Sequence, residues 1–322
     1  MKRILSALLA LGLLLSACAA PPEPAEPELI VVGISQSGAE SDWRVANSES
    51  MKAVFTEENG YRLLFDDARQ KQENQITAVR KFIQQQVDYI VLMPIQETGW
   101  DSVLEEARDA NIPVILVDRR VDVADDGLYA AHIGSDFALE GRRAVAWIET
   151  AFPDETRAVN ILHLRGTLGS TAQLGRSGAL EDAAARHGNW TLLAQLDSDF
   201  TYAKAYEVID GYLDARPPLD VIYCENDNAA FAALEALTGH GYACGPNGVQ
   251  VISFDATRSA LEACLDGRIA LAVECNPLLG PLVEGVVQAL ERGETPPKHS
   301  YVEEAVFTAE DLTLESIQAR AY

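Results

Sequence analysis

A dense group of polar and aromatic side chains follows the first apolar run of the chain after its amino-terminal segment. That run, "LIVV", is rich in β-branched residues and predicts a buried strand. Within the next few positions come five side chains that could bind a ligand: Glu40, Ser41, Asp42, Trp43 and Arg44. Carboxylates and a guanidinium exchange hydrogen bonds with hydroxyl groups, and a tryptophan face covers the C–H side of a sugar ring. The segment is therefore a candidate ligand-binding loop.

Polar residues follow five further apolar runs in the same way. Asp118 and Arg119 follow "VILV", and Arg176 lies in "RGTLGSTAQLGR" after "ILHL". Asn226 follows "VIYC", Asp255 follows "VISF", and "CNP" follows "IALAVE". In an open parallel sheet, ligands bind beyond the carboxyl ends of the strands, where loops converge and helix N-termini present N–H groups. Two such sheets facing each other would gather these groups around one small ligand, and their chemistry suits a sugar.

Each of these residues also has a structural interpretation without a ligand. Aspartate after a strand is a common helix N-cap, so Asp118 and Asp255 could have that use, and Asn226 could simply cap its helix. The three arginines, at positions 44, 119 and 176, could be solvated, and Trp43 could belong to the core. The prediction of a binding site therefore rests on the joint pattern.

Enzyme chemistry has less support. The glycine-rich "RGTLGSTAQLGRSG" lacks the G-K-[ST] ending of a phosphate-binding loop, and there is no G-x-S-x-G or convincing Ser/His/Asp set. The histidines have no H-x-x-x-H spacing and the cysteines form no C-x-x-C, so neither a metal site nor a cofactor is expected. Paired carboxylates occur throughout so acidic a chain, so they do not distinguish an enzyme from a binding protein.

Alternating apolar runs and amphipathic stretches supply the elements that position these residues. The predicted strands are Leu29–Ile34, Arg62–Phe65, Tyr89–Met93, Val114–Val117, Val159–Leu164, Leu192–Leu196, Val221–Cys224 and Val249–Phe254. Helical spacing between them, as in Ile76, Val79, Phe82 and Ile83, indicates α/β units with parallel sheets. "LYAAHIG", Ile269–Cys275 and "SYVEEAVFT" are extended segments, and a helix is expected from about Leu279 to Arg292. The predicted fold is two doubly wound lobes joined by three hinge crossings near Gly134, Cys275 and Tyr301.

Composition and charge restrict the class of partner. The chain has 322 residues, with 25 Lys and Arg against 49 Asp and Glu, for a formal net charge of -24. Phosphate binding needs a basic surface, so nucleic acid is not an expected partner. A surface this acidic favours a soluble monomer.

The amino-terminal segment has the pattern of a secretory signal. Lys2 and Arg3 precede the apolar "ILSALLALGLLL", and small residues in "LSAC" lead to Cys18. The apolar run is too short to span a bilayer comfortably, so a transmembrane helix is the weaker interpretation. "LSAC" resembles the lipobox of bacterial lipoproteins, in which cleavage leaves a lipidated cysteine. The following "AAPPEPAEPE" indicates a stiff, extended tether.

The other four cysteines are Cys224, Cys244, Cys264 and Cys275. An exported location permits disulfides, and a buried free thiol is the alternative for each. The sequence leaves their pairing open.

Several longer segments carry a resemblance to a known family. They are "VGISQSGAESDWR", "DARQKQENQITAVRKFI", "ETGWDSVLEEARDANIPVILVDRRVDV", "END" and "FDA". The body from about Leu29 to Tyr322 resembles the periplasmic sugar-binding proteins of the ribose and LacI-type class, and within it the galactofuranose binders of bacterial ABC sugar importers. The resemblance implies a type I binding-protein fold and a cleft that closes on a monosaccharide, with galactofuranose the foremost expectation.

Carried over position by position, the family's ligand-binding cluster falls on residues that the strand-end argument selects independently. They are Glu40, Ser41, Asp42, Trp43, Arg44, Asp118, Arg119, Arg176, Asn226 and Asp255. Asp42 stands where the galactofuranose binders have glycine, and "ENDN" and "ECNP" also differ from them. These departures leave the exact sugar open.

The resulting prediction is a binding protein without catalysis, lipid-anchored through Cys18 to the outer face of the cytoplasmic membrane or periplasmic. Its partners would be an ABC permease and ATPase. The expected organisation is a signal peptide over 1–17, a tether over 18–28, a first lobe of 29–133 plus about 277–300, and a second lobe of 134–276 plus about 301–322.

Three other functions are alternatives to this one. A sugar sensor for a membrane receptor or kinase would use the same fold and cleft. A LacI-type regulator would need a helix-turn-helix where the signal and tether lie. A sugar-processing enzyme would need a catalytic group that the sequence does not assemble.

Overall fold

The structure is a computed structural model, and it describes residues 28–322. The predicted signal peptide, Cys18 and the tether as far as residue 27 lie outside the described residues. In the described part, no helix has both the length and the apolar character needed to cross a bilayer.

Strands and helices alternate along most of the chain. The strands are β1 (Ile30–Gln36), β2 (Tyr61–Asp67), β3 (Tyr89–Leu92), β4 (Val114–Val117), β5 (Ala131–Gly134), β6 (Val159–Arg165), β7 (Trp190–Asp197), β8 (Val221–Cys224), β9 (Gln250–Asp255), β10 (Leu271–Glu274), β11 (His299–Tyr301) and β12 (Val306–Phe307). The helices are α1 (Asp42–Val54), α2 (Gln72–Gln84), α3 (Asp101–Asp109), α4 (Phe137–Ala151), α5 (Thr171–Arg186), α6 (Tyr202–Leu213), α7 (Asp227–Gly239), α8 (Arg258–Leu265), α9 (Gly280–Glu291) and α10 (Leu314–Gln318).

The strands form two six-stranded sheets of matching topology. The first has the order β2-β1-β3-β4-β5-β11 and the second β7-β6-β8-β9-β10-β12. All neighbouring strands are parallel except β12, which runs antiparallel to β10. This doubly wound order reverses between β1 and β3 and between β6 and β8, which are the switch points where ligands bind in such sheets. The predicted fold class is confirmed.

Both faces of each sheet are covered, as the near-continuous apolar runs predict. In the first sheet, Ile90 and Leu116 belong to the core on one face, whereas Val91 and Ile115 belong to the core on the other. Successive side chains of a strand point to opposite faces, so four-residue strands such as β3 and β4 serve both cores. We call each sheet with its packed helices a lobe: α1, α2, α3 and α9 pack in the first lobe, and α4 to α8 with α10 in the second.

The chain passes between the lobes after β5, after β10 and after β11. The segment "LYAAHIG", expected only as a crossing, ends in β5, which pairs with β4. The segment "SYVEEAVFT", expected as one strand, forms β11 in the first sheet and β12 in the second. The segment forms two strands because the chain passes from the first sheet to the second between β11 and β12. The residue limits given above for the two lobes stay a prediction.

The four cysteines of the described chain are free thiols. Cys224 and Cys264 are buried in the core of the second lobe, and Cys244 packs at its edge. Cys275 is buried between the lobes.

Candidate functional site

A cavity lies between the two lobes, beyond the carboxyl ends of their strands. The space between its walls, part of which is open to solvent, is about 290 Å³. Nine of the ten predicted residues line it. The full lining is Glu40, Ser41, Trp43, Arg44, Asp118, Arg119, Phe137, Ala172, Arg176, Phe200, Asn226, Asp255 and Cys275.

In the first lobe, Arg44 is the centre of a buried charge network. Its Nη2 donates to Asp118 Oδ2 at 2.8 Å, and its Nε donates to Glu40 Oε1 at 3.1 Å. Burial lowers the pKa of Arg44, but attraction to the two carboxylates outweighs this and raises the pKa overall. Arg44 is therefore a fixed cation. Removing one carboxylate would leave a buried charge uncompensated, at a cost of about 3–5 kcal/mol.

Arg119 is buried beside this network but has fewer partners. Its Nη1 donates to the Ile95 carbonyl at 3.2 Å, whereas Glu40 and Asp118 oxygens lie 3.7 and 3.8 Å from its other nitrogens. Within the described chain its Nε has no hydrogen-bond partner. Burial, followed by repulsion from Arg44, lowers the pKa of Arg119 to about 10. The guanidinium stays charged at neutral pH and has donor capacity that the oxygen atoms of a ligand could satisfy.

In the second lobe, Arg176 on α5 occupies the corresponding position. Its Nε donates to Glu140 Oε2 at 2.7 Å, and its Nη1 donates to the Glu225 carbonyl at 2.6 Å. Asp255 Oδ1 lies 3.9 Å from its Nη2. Burial raises the pKa of Glu140 and of Asp255, and the attraction of Arg176 does not cancel that effect. A carboxyl that holds its proton more readily can donate as well as accept a hydrogen bond.

Asp118 and Asp255 stand at matching strand ends and share an uncommon backbone conformation. Their φ angles are +64° and +103°. The helix after Asp255 has Thr257 at its N-cap, and the short 3-10 turn after Asp118 begins with Asp125 as its cap. The N-cap interpretation is therefore wrong for both aspartates. Positive φ is costly for a side-chain-bearing residue, and such strain is concentrated at ligand sites.

Ser41 and Asn226 combine helix capping with a place in the cavity wall. Ser41 Oγ accepts the Arg44 N–H at the start of α1, and Asn226 Oδ1 accepts the Ala229 N–H at the start of α7. The Nδ2 of Asn226 also donates to the Phe200 carbonyl at 2.9 Å. These caps aim the N-terminal ends of two helices at the cavity, one from each lobe.

Asp42 is the predicted residue that the structure places elsewhere. It is exposed on the first turn of α1, and its backbone N–H donates to Asn228 Oδ1 at 3.2 Å. The neighbouring Trp43 is buried and lines the cavity, with its Nε1 donating to the Cys275 carbonyl at 2.7 Å. Asp42 is not among the residues that line the cavity. The assignment of Asp42 to the ligand-binding cluster stays a prediction that the cavity wall does not support.

Three further lining residues were not selected from the sequence. Phe137 follows β5, Phe200 follows β7, and Ala172 lies on α5. Cys275 was noted only as part of "CNP", and Glu140, the partner of Arg176, gave no signal at all. The two phenylalanines obey the rule used for the polar residues, since each follows a strand end. Applying that rule to aromatic residues would have found them.

Phe200 reaches the cavity on a tight loop. Asp199 and Phe200 have φ angles of +53° and +61°, and the Phe200 ring lies 5.1 Å from the guanidinium carbon of Arg119 in the other lobe. A Cβ added to Gly166 would fall 1.9 Å from the Phe200 ring. The absence of a side chain at position 166 therefore allows Phe200 to form its part of the wall.

Direct hydrogen bonds join the lobes around the cavity, so this conformation is closed. Besides the indole of Trp43, the Glu97 N–H donates to the Gly169 carbonyl at 2.9 Å, and the Arg120 N–H donates to Thr171 Oγ1 at 3.0 Å. In each of these hydrogen bonds, the donor and the acceptor belong to different lobes. The charged lining groups are consequently cut off from bulk water in this state.

Residues 32–278 match the sequence model of a periplasmic binding protein domain. The chain belongs to this family. Family membership places it among exported or periplasmic proteins. The similar proteins are binding proteins by name, which confirms the prediction of a non-enzymatic role.

Three relatives illustrate the similarity. The galactofuranose-binding protein YtfQ of Escherichia coli (strain K12) is 33% identical over 84% of this chain and 85% of its own length. A structure from Mycobacterium smegmatis in complex with β-D-fucofuranose is 38% identical, covers 90% of this chain and 93% of the other, and has a TM-score of 0.84. The periplasmic binding component of the arabinose ABC transporter of Shewanella sp. ANA-3, bound to α- and β-L-arabinofuranose, is 38% identical, covers 87% and 92%, and has a TM-score of 0.81.

The position of Phe200 generates a prediction about Gly166. Gly166→Ala forces the new methyl group against the buried ring, so we expect a loss of stability of about 1–3 kcal/mol, as for other overpacked sites. The measurement is the denaturant midpoint of the purified variant. Gly178→Ala on α5 is the matched control, because a Cβ there meets nothing within 4 Å and alanine favours a helix. If the two variants were equally stable, the close fit of Phe200 against residue 166 would be refuted.

Proposed function

We propose that this protein captures a monosaccharide in its furanose form for an ABC importer, with galactofuranose as the foremost candidate. The observation that carries the proposal is the buried cavity, in which three arginines, three carboxyl groups and three aromatic rings converge from two lobes. The relatives described above, named or solved with galactofuranose, fucofuranose and arabinofuranose, supply the choice of sugar class.

The chemistry of the wall suits a compact polyol. Arg119 and Arg176 supply donors to ring and hydroxyl oxygens, while Asp118 and Asp255 accept from hydroxyl groups. The rings of Trp43, Phe137 and Phe200 cover the C–H surface of the sugar. A ligand of this kind satisfies buried polar atoms without adding a charge that the site would have to neutralise.

Capture follows from the division of the wall between the lobes. Arg44, Asp118 and Arg119 belong to the first lobe, whereas Arg176 and Asp255 belong to the second. Only the closed state gives the ligand all contacts, so the sugar shifts the population toward closure by its differential affinity for the two states. The closed form then docks on a permease, whose ATPase drives transport.

The proposal extends to export and anchoring. The chain is secreted, cleaved before Cys18, lipidated there, and held at the outer face of the membrane as a monomer by the proline-rich tether. This rests on the amino-terminal sequence alone.

A thermal-shift and calorimetry screen of residues 28–322 tests ligand class. We expect D-galactose, D-fucose and L-arabinose, whose solutions contain furanose forms, to stabilise the protein, and glucose to have little effect. Ligand at about a thousand times its Kd adds about 4 kcal/mol, which moves the melting temperature by several degrees. Carbon-13 NMR of bound, labelled D-galactose should show a furanose anomeric carbon. A bound pyranose would contradict the ring-form assignment, and a flat response from folded, ligand-free protein would contradict the sugar class.

Arg119 provides a test of the site itself. Arg119→Ala removes a charged donor that has only one hydrogen bond within the described chain, so its loss should cost about 1.5–3 kcal/mol of binding, roughly ten- to a hundredfold in Kd. Calorimetry with the sugar found in the screen measures the change. Arg108→Ala removes an exposed arginine on α3 and should leave Kd unchanged. Unchanged affinity in both variants would remove Arg119 from the site.

Cys18→Ser tests the anchor. In cells grown with an alkyne-tagged fatty acid, the unmodified chain should carry the tag and sediment with membranes. The variant should carry no tag and be released. Equal labelling of both would show that Cys18 is not the lipid site.

A further inference from the structure

A small group of side chains joins all three crossings between the lobes. We call Ser135, Cys275, Asn276 and Glu304 the hinge cluster; Ser135 follows β5, Cys275 and Asn276 follow β10, and Glu304 lies between β11 and β12. Glu304 Oε1 accepts from Ser135 Oγ at 2.6 Å and from the Asn276 N–H at 2.8 Å. Ser135 Oγ also lies 3.3 Å from Cys275 Sγ. One carboxyl group thus connects the three crossing segments, which must move when the cleft opens.

The hinge cluster is continuous with the wall of the cavity. Cys275 lines the cavity, and its carbonyl accepts from the Trp43 indole. Glu140, which holds Arg176, places an acidic oxygen within 4.8 Å of both Cys275 Sγ and a Glu304 oxygen. A change at Glu304 is therefore next to two residues that form the binding site.

Groups of both charges face Glu304, and a Glu140 oxygen lies within 4.8 Å of its carboxyl. On α4 these are Glu140 and Arg143, whose Nη1 donates to the Glu304 backbone carbonyl at 2.7 Å; Asp136 lies at the start of that helix. Arg176 faces it from α5 and Cys275 from the segment after β10, whereas the adjacent Glu303 is exposed. Burial, and then repulsion from Glu140, raises the pKa of Glu304 to about 8. The closed state therefore favours the neutral acid.

The hydrogen bonds leave a place for that proton. Both donors bond to Oε1, so a proton on Oε2 keeps them intact while removing the negative charge beside Glu140. The Glu140 carboxyl already has a cationic partner in Arg176 at 2.7 Å. A surface groove lined by Asp136, Arg143 and Glu304 gives this carboxyl a route for exchanging a proton with solvent.

We propose that Glu304 is a positioning residue for ligand binding: in its protonated form it holds the three crossings in the closed arrangement, and its ionisation favours the open state. Ligand affinity consequently falls as Glu304 loses its proton. The predicted effect on ligand affinity rests on the proposed function, whereas the predicted effect of Glu304 on stability does not.

The direction in which affinity and stability change with pH follows from proton linkage. A carboxyl with a raised pKa binds more protons in the closed state than in a state where Glu304 is solvated and has its ordinary pKa near 4.5. Closure then takes up a proton between that value and about 8, so both affinity and stability fall as pH rises through this window.

The test compares three proteins across pH, with a chelator present throughout. Calorimetry with D-galactose measures Kd at about pH 6 and about pH 9; linkage allows a weakening of up to about a hundredfold, and we expect at least about fivefold. Glu304→Gln keeps an oxygen for both donors and cannot ionise, so its Kd should change less than about twofold. Glu303→Gln removes the same charge from the exposed neighbouring residue and should behave like the unmodified protein.

Each result decides the matter. If Glu304→Gln retains the full pH dependence, or if the unmodified protein shows none, the proposal is overturned. If the variant does not fold, calorimetry of the unmodified protein in buffers of different ionisation enthalpy still applies: binding between about pH 6 and about pH 7 should take up close to one proton, and zero uptake overturns the proposal.

A ligand-free measurement separates this inference from the proposed function. Relative to Glu304→Gln, the unmodified protein should lose stability toward denaturant between about pH 6 and about pH 9. Failure of every sugar to bind, with this loss present, contradicts only the proposed ligand. Sugar binding without the loss contradicts only the role of Glu304.

Discussion

The ion pair between Arg44 and Asp118 is the interaction on which the cavity of this protein depends. It joins the first turn of α1 to the end of β4 and buries both charges. A guanidinium removed from water must be matched by carboxylates, so Arg44 requires Glu40 and Asp118, which then lie close to Arg119. Arg119 shares partners that Arg44 already occupies, so its Nε has no hydrogen-bond partner within the described chain, and neither has Nη1 of Arg44. The binding capacity of the first lobe thus arises from an unequal division of two carboxylates between two arginines.

The doubly wound topology explains why these charges can be assembled at all. Each sheet sends its strand ends and helix N-termini toward the same edge, and the two lobes present those edges to each other. Asp118 and Asp255 end β4 and β9, which have the same place in the two strand orders. The repeated topology therefore supplies a carboxyl from each side of the cavity. The apolar residues of the strands keep the edges rigid, so that the polar residues beyond them are held in fixed positions.

Much of this could be predicted from the sequence because its signals are local. Val114–Val117 and Val221–Cys224 coincide with the structure, since continuous β-branched runs flanked by polar residues identify buried parallel strands. Strand ends then located nine lining residues. The features that the sequence did not reveal depend on side-chain orientation or on distant contacts. The direction of Asp42 is set by the phase of α1, the use of Phe200 depends on space at Gly166, and the partner of Arg176 lies 36 residues away on α4. Periodicity contains none of this information.

Closure brings like charges together across the cleft, and this opposes the bonds that hold the lobes shut. Burial, then Arg44, and less strongly Arg176 of the second lobe lower the pKa of Arg119. Burial, then Asp227, and less strongly Asp118 of the first lobe raise the pKa of Asp255. Direct bonds such as Trp43 to Cys275 act in the opposite sense. In the proposed function, a neutral ligand between the lobes donates to the carboxyls and accepts from the arginines, which relieves both kinds of repulsion in the closed state alone. A ligand shifts an equilibrium only by its differential interaction with the two states, and this arrangement makes that difference large. In the proposed function, this unfavourable burial of charge is what links closure to the ligand.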